Sequence, residues 1–220
     1  MTEGRYLVRE DDAERVLIVQ EIDAPRPQRR GRRRARPVAP EEPEQVPVTR
    51  VTVTGVALDD ASAGSAWLRE TIGDRERGAQ ELRDATRIIN RALSALRAEA
   101  RDPLVQEIGV TKALTIRLGH GTGDELAEGR WTEASQLPQP RRGRLDDVDP
   151  QSRVAAVLAG RDEVHPAETL MQRARLDAQQ GRDAEARYGL QAARAALREE
   201  PGPRRDQLMK ELAAIEERLG

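Results

Sequence analysis

"ERVLIVQEI", residues 14–22, decides how the first half of this chain folds. Val16, Leu17, Ile18 and Val19 form a continuous apolar run rich in β-branched residues. Four adjacent apolar residues suit a strand covered on both faces rather than one stripe of a helix. Upstream, "RYLVR" at 5–9 reads as a second strand, and the charged "EDDAE" between them reads as a hairpin turn. Downstream, "VTRVTVTGVAL" at 48–58 alternates: Val51 and Val53 point to one face, Thr52 and Thr54 to the other. That pattern predicts a half-buried strand, with Gly55 marking a bend.

Working outward from these strands, "DDASAG" supplies cap residues for a helix over 62–72, with Trp67 and Leu68 inward. The strongest helical pattern is 78–100, where Leu82, Ala85, Ile89, Leu93, Leu96 and Ala100 recur at three- and four-residue steps. A short helix at 103–109 and a strand at 113–118, with Leu114, Ile116 and Leu118 on one face, are expected next. Beyond 150 the strand signal disappears. Helices are expected at 151–159, 166–180, 183–199 and 203–219, separated by Gly160, Gly181 and "PGP" at 201–203. The fold class is therefore α+β: a small, mostly antiparallel sheet covered by helices, then an all-α C-terminal region. A parallel pairing between the strands at 48 and 113 makes a mixed sheet the alternative. The domains read as 1–137, a linker at 138–150, and 151–220.

Composition limits what this chain can do. Only 37% of its 220 residues are hydrophobic and 35% are charged; there is no Phe, and aromatics are two Trp and two Tyr. Its cores must be thin and aliphatic. The absence of cysteine removes thiol catalysis, thiolate metal sites and disulfides, which fits a cytoplasmic setting. No signal peptide and no membrane span is expected. Lys occurs only at 112 and 210, and every other basic residue is Arg, a bias of the kind seen in GC-rich bacterial genomes.

Two segments concentrate that arginine. "RPQRRGRRRARP" at 26–37 holds Arg26, Arg29, Arg30, Arg32, Arg33, Arg34 and Arg36, inside a proline-rich insertion spanning 24–47. "PQPRRGR" at 138–144 holds Arg141, Arg142 and Arg144. Each is followed by acids: Glu41, Glu42 and Glu44 after the first, Asp146, Asp147 and Asp149 after the second. Neither block has the aromatic residues that stack bases, nor the period of a recognition helix. They read as solvated, disordered linkers with compensating charge. Phosphate binding to nucleic acid is the alternative.

Catalytic signatures are sparse. "LGHGTGDE" at 118–125 follows a predicted strand, and Gly119, His120, Gly121, Gly123 and Asp124 are the candidates for a cofactor- or ligand-binding loop within 118–131. The spacing is G-x-G-x-G, not that of a dinucleotide loop, and no Lys-Ser/Thr follows. With Asp124 and Glu125 at its mouth, the loop suits a phosphate poorly. The bland reading is a glycine-rich turn. His120 with these two acids falls short of a metal's ligand set, and His165 is expected to cap or precede the helix at Pro166. No serine sits on a nucleophile elbow. No cofactor and no catalytic residue is assigned.

"AETLMQRARLDAQQGRDAEARYGLQAARAALREE" at 167–200 carries a pattern of large and small residues. Leu170 and Ala174 fall on the first helix, Gly181 in the turn, and Ala186, Leu190 and Ala193 on the second. The stretch resembles a tetratricopeptide-type repeat. It departs from that pattern at Arg173 and Asp177, where the repeat has Leu and Tyr, and at Arg198, where it has Pro. The resemblance implies a helical hairpin offering a protein-contact surface and no chemistry. The expected function is a non-enzymatic cytoplasmic interaction protein that binds another protein, or itself, through 151–220.

Overall fold

The computed structural model describes residues 2–10, 13–25, 45–55, 58–138, 150–198 and 203–217. It is α+β, with small antiparallel sheets followed by helices. The chain divides into two compact units, Met1–Arg141 and Arg142–Gly220.

The first unit begins with β1 (Gly4–Glu10), β2 (Ala13–Pro25) and β3 (Gln45–Val53), paired antiparallel in that order. Register runs from Gly4↔Val19 to Glu10↔Ala13 and from Leu17↔Val53 to Pro25↔Gln45. The ends of the 24–47 insertion are thus strand. The arginines of both Arg-rich segments fall on residues outside the described ones.

The apolar run at 16–19 is explained by cover on both faces. Leu17 and Val19 pack against Ile88, with Tyr6, Val8, Val51, Val53, Ile89 and Ala92 around them. Ile18 and its cross-strand neighbour Thr52 point the other way and are also buried. On that same face, Arg50 donates to Gln20 Oε1 through Nη2 at 2.6 Å and Nε at 3.1 Å.

Two helices follow, α1 (Ala61–Gly73) and α2 (Arg75–Ala100). Asp60 Oδ1 accepts from the Ala63 N–H and Asp74 Oδ1 from those of Glu76 and Arg77, so each helix starts on an aspartate cap. The apolar stripe predicted for α2 is only partly right. Its fully buried side chains are Ile88 and Asn90, while Leu82, Ala85, Ile89, Leu93 and Leu96 are half-covered and Ala100 is exposed. Asn90 is the one asparagine of the chain. Its Oδ1 accepts from the Ile108 N–H at 2.9 Å, and its Nδ2 donates to the Ile108 carbonyl at 3.1 Å. This pair of hydrogen bonds imitates a strand pair, and where a helix was expected at 103–109 the chain makes a turn at 103–104 and then runs on without helix through 105–109. A 3₁₀ turn at Val110–Lys112 follows.

The strand expected at 113–118 is displaced. Leu114 is exposed, and pairing starts at β4 (Arg117–His120). β4 does not join β1–β3. It pairs antiparallel with β5 (Glu133–Gln136), a strand the sequence pattern did not mark, around α3 (Gly123–Ala127). Among the described residues all strand pairings are antiparallel, so the mixed-sheet alternative does not occur there. α1 covers β4 and β5, while α2 covers the larger sheet.

The second unit is helical: α4 (Pro150–Leu158), α5 (Pro166–Gln179), α6 (Asp183–Ala196) and α7 (Pro203–Glu216). α5 and α6 form a hairpin around Gly181, which takes φ 71°. Small residues set its closeness: a Cβ built on Gly189 would stand 3.2 Å from the Ala174 Cβ. α7 completes an aliphatic core of Ala167, Met171, Ala174, Leu190, Ala193, Leu197, Leu208, Leu212 and Ile215. His165 caps α5, its Nδ1 accepting from the Ala167 N–H at 3.1 Å, in front of Pro166 at the first helical position. Asp177, 3% exposed, accepts from Arg182 at 2.6 Å and Arg173 at 3.1 Å, and so pins the hairpin turn. Among the described residues no helix is long and apolar enough to cross a membrane.

Candidate functional site

The glycine-rich loop contains the one buried histidine of the first unit, and its surroundings decide what the loop is for. β4 ends on His120, which is 8% exposed. α1 lies across it and has no side chain at the crossing. A Cβ on Gly64 would stand 2.5 Å from His120 Nδ1 and 2.6 Å from its Cγ. The imidazole therefore occupies the notch that Gly64 leaves in the helix surface. One residue on, the Ser65 hydroxyl donates to Glu133 Oε2 at 2.7 Å and lies 3.3 Å from His120 Nε2. His120 Nε2 is 3.6 Å from Glu133 Oε2. Serine, histidine and glutamate from α1, β4 and β5 thus meet at one point.

Electrostatics follow from this contact. The Ser65 hydroxyl holds the Glu133 carboxyl below the usual carboxylate range against a smaller opposing effect of burial, with His120 and Arg69 adding to the depression. Glu133 is a stable anion, half-exposed on one side.

The three residue types are those of a hydrolytic triad, and their geometry is not. In a triad the carboxylate bonds one imidazole nitrogen and the serine the other, so that the base can take the serine proton. Here both partners face Nε2, and Nδ1 faces the backbone of α1. Ser65 gives its only proton to Glu133. It stands within a regular helix turn, not on a strained elbow. What this cluster does is join three elements through one buried ring.

The remaining loop residues fit the same account. Gly119 lies so close to the Glu133 carbonyl and Ala134 that any Cβ would collide with β5. A Cβ on Gly121 would stand 2.8 Å from Leu126 Cδ2. Gly123 takes φ 43°, opening the five-residue α3, which is too short to gather an anion-binding N-terminus. Asp124 lies on α3, and its side chain is outside the described positions. Gly129 takes φ 74° and sits directly against the Arg50 guanidinium, which ties this hairpin to the larger sheet. Among the described residues, no group of three or more His, Cys, Asp or Glu is placed to hold a metal ion. His165, the other histidine, serves as a helix cap in the second unit.

Sequence reasoning singled out His120 and missed Gly64, Ser65, Glu133 and Arg50. No local signal pointed to them: Ser65 is 55 residues from His120 and 68 from Glu133.

The second unit holds a different polar cluster, beside a cleft of about 380 Å³ floored by Met171 and Leu208. Arg153 bonds Glu168 at 2.6 Å and Asp162 at 3.2 Å; Arg204 bonds Glu168 at 2.7 Å and Asp162 at 3.1 Å. Burial works to raise the Glu168 carboxyl, but the two guanidiniums together hold it below the usual range. Asp162 is lowered chiefly by the Glu163 N–H. Each arginine is engaged by both acids, so the cluster is already neutralised from within.

Arg26, Arg29, Arg30, Arg32, Arg33, Arg34, Arg36, Arg141, Arg142 and Arg144 lie outside the described residues. Compared with known proteins, the chain matches no family model, no curated protein and no solved structure.

Proposed function

We propose that this chain is a non-enzymatic cytoplasmic interaction protein whose contact surface is its helical C-terminal unit. The observation that carries this reading is the exposure of Val154, Leu158, Val164 and Tyr188, between 55% and 83%, on a unit whose nine core side chains are closed off. Exposed large apolar side chains mark a contact surface where they adjoin one another, and Val154 and Leu158, four residues apart, share one face of α4. The resemblance of 167–200 to a tetratricopeptide-type repeat supports it. The departures at Arg173 and Asp177 fit a hairpin, because those two residues and Arg182 bond one another at the turn. The Ser65–His120–Glu133 geometry, which joins elements instead of activating a nucleophile, supports a non-enzymatic role.

The test is site-specific photocrosslinking in the full-length chain. A crosslinker at Tyr188 should trap one discrete partner or a second copy of the chain. Leu158→Ser in the same chain should abolish that product. A product that survives Leu158→Ser, or that forms equally from a crosslinker at exposed Glu185, refutes the reading.

One observation favours a second reading, nucleic-acid association. The β2–β3 ladder outruns β1 and ends at Pro25↔Gln45, the two residues that flank 26–44 in the sequence. Seven arginines are carried between them. Binding to generic duplex and single strand should then be measurable at ~50 mM salt and fall steeply with added salt; no affinity at ~50 mM removes this reading.

A further inference from the structure

α4 is put together the wrong way round for a helix on a hydrophobic core. Val154 and Leu158 point outward, 55% and 83% exposed, and Ala156 and Val157 are only half-covered. None of the core side chains comes from its described residues. Its backbone approaches the other helices at few points. The side chain that reaches across to α5 is charged, and is itself 49% exposed. Arg153 reaches Glu168 of α5 at 2.6 Å and Asp162 of the α4–α5 connection at 3.2 Å, with the Glu163 carbonyl at 3.5 Å. Arg204 of α7 holds the same acids from the other side and donates to the Glu163 carbonyl at 2.6 Å. α5, α6 and α7, in contrast, share an aliphatic core that needs neither arginine.

We infer that α4 is an electrostatically latched helix: the Arg153 ion pairs dock it on the α5–α7 core, and breaking them frees it while that core stays folded. The physical reason is a mismatch in what holds each part. Hydrophobic burial is insensitive to moderate salt, whereas half-exposed ion pairs are screened by it. A nine-residue helix is marginal in water on its own, so an undocked α4 melts instead of drifting as a rigid rod. The α4 C-terminus closes on Gly160 at φ 67°, with the Arg161 N–H donating to the Ala156 carbonyl at 2.8 Å. Release carries Val154 and Leu158 away from the core and leaves Asp162 and Glu168 to Arg204 alone. The inference is independent of the protein-binding reading of this unit, since it concerns how α4 is held.

Hydrogen–deuterium exchange on the full-length chain tests it. In low salt, the amides of α4 are protected. At ~1 M NaCl, where the screening length falls to about 3 Å, they should exchange roughly tenfold faster, about what one charge-assisted hydrogen bond is worth. The α5–α7 amides should keep their rates. Arg153→Gln in low salt should reproduce the acceleration, and added salt should then change α4 little further. The latch is overturned if salt leaves α4 exchange unchanged, or if salt accelerates α5–α7 in step with it. It is equally overturned if Arg153→Gln retains full α4 protection or full salt sensitivity. The salt arm uses the unmodified chain, so it decides even where the substitution disturbs folding more widely.

Discussion

Gly64→Ala should destabilise the first unit in the native background and stabilise it once His120 is gone. Two opposing effects set the sign. Alanine is favoured over glycine in a helix interior by about 1 kcal/mol, and Gly64 sits inside α1. The new methyl, though, would stand 2.5 Å from Nδ1 and 2.6 Å from Cγ of an imidazole that is 8% exposed. Contacts that short force the ring or the helix to move, and overpacking of this kind costs about 1–3 kcal/mol. The ring has little room, because Ser65 and Glu133 hold its other edge. The net expectation is a loss of about 0–2 kcal/mol for Gly64→Ala alone. In a His120→Ala chain the obstacle is absent and only the helix preference remains, a gain of about 1 kcal/mol.

The double-mutant cycle therefore predicts a coupling of about 1–3 kcal/mol with a change of sign between backgrounds. Urea unfolding followed by tryptophan fluorescence reads it cleanly, since the chain's two tryptophans, Trp67 and Trp131, both lie in the first unit. Equal effects of Gly64→Ala with and without His120 would show that the imidazole does not occupy the notch, and the account of the site would fall with it.

Three further outcomes follow from the same contacts. Ser65→Ala removes the largest influence holding the Glu133 carboxyl low, so its titration midpoint, read by carbon-detected NMR, should rise. Because the folded value is depressed, Glu133 adds stability above its unfolded-state value that is lost as pH falls through the folded one; Ser65→Ala should narrow that acid window. Asn90→Leu fills the same space but leaves the Ile108 N–H and carbonyl without their partner, and should cost about 1–3 kcal/mol in the tryptophan-monitored transition. Asp177→Ala strips the partner from Arg182, only 16% exposed, and should cost about 3 kcal/mol by far-UV circular dichroism, the second unit having no tryptophan.

What the sequence disclosed and what it hid divide along physical lines. The run at 16–19 was legible because burial on both faces leaves an unbroken apolar string, and Leu17, Ile18 and Val19 are indeed all buried. The helix over 166–179 was legible because its cap and its proline are neighbours in the chain. "ALTIRL" misled, since its alternation is real but Leu114 faces water; pairing begins where Gly119 lets β5 come close. β5 itself, "EASQ", has no large apolar residue to announce it. On α2 the polar Asn90 sits on the buried side, so a purely apolar stripe misplaces the centre of the contact on Ile89 and not Ile88. The glycines of 118–125 were legible as a cluster, but their purpose was not. A notch cut for a distant ring and a notch cut for a phosphate look the same in one dimension.

The first unit solves a problem set by composition. With no phenylalanine and few aromatics of any kind, it lacks the large flat groups that usually lock layers together. Its layers are keyed instead by planar polar groups seated on glycines: the His120 imidazole against Gly64, and the Arg50 guanidinium against Gly129. Such a key resists sliding because the notch admits one side chain in one place. It also fails differently from an aromatic core. Trimming a large residue in an aromatic core opens a cavity, and the loss scales with the volume removed. In a keyed contact, adding one methyl to the glycine does comparable harm, and so does any change in the hydrogen bonds that hold the flat group in register. Gln20, which bonds Arg50 twice through one oxygen, and Ser65, which bonds Glu133 beside His120, are therefore as much part of the packing as the aliphatic residues around them.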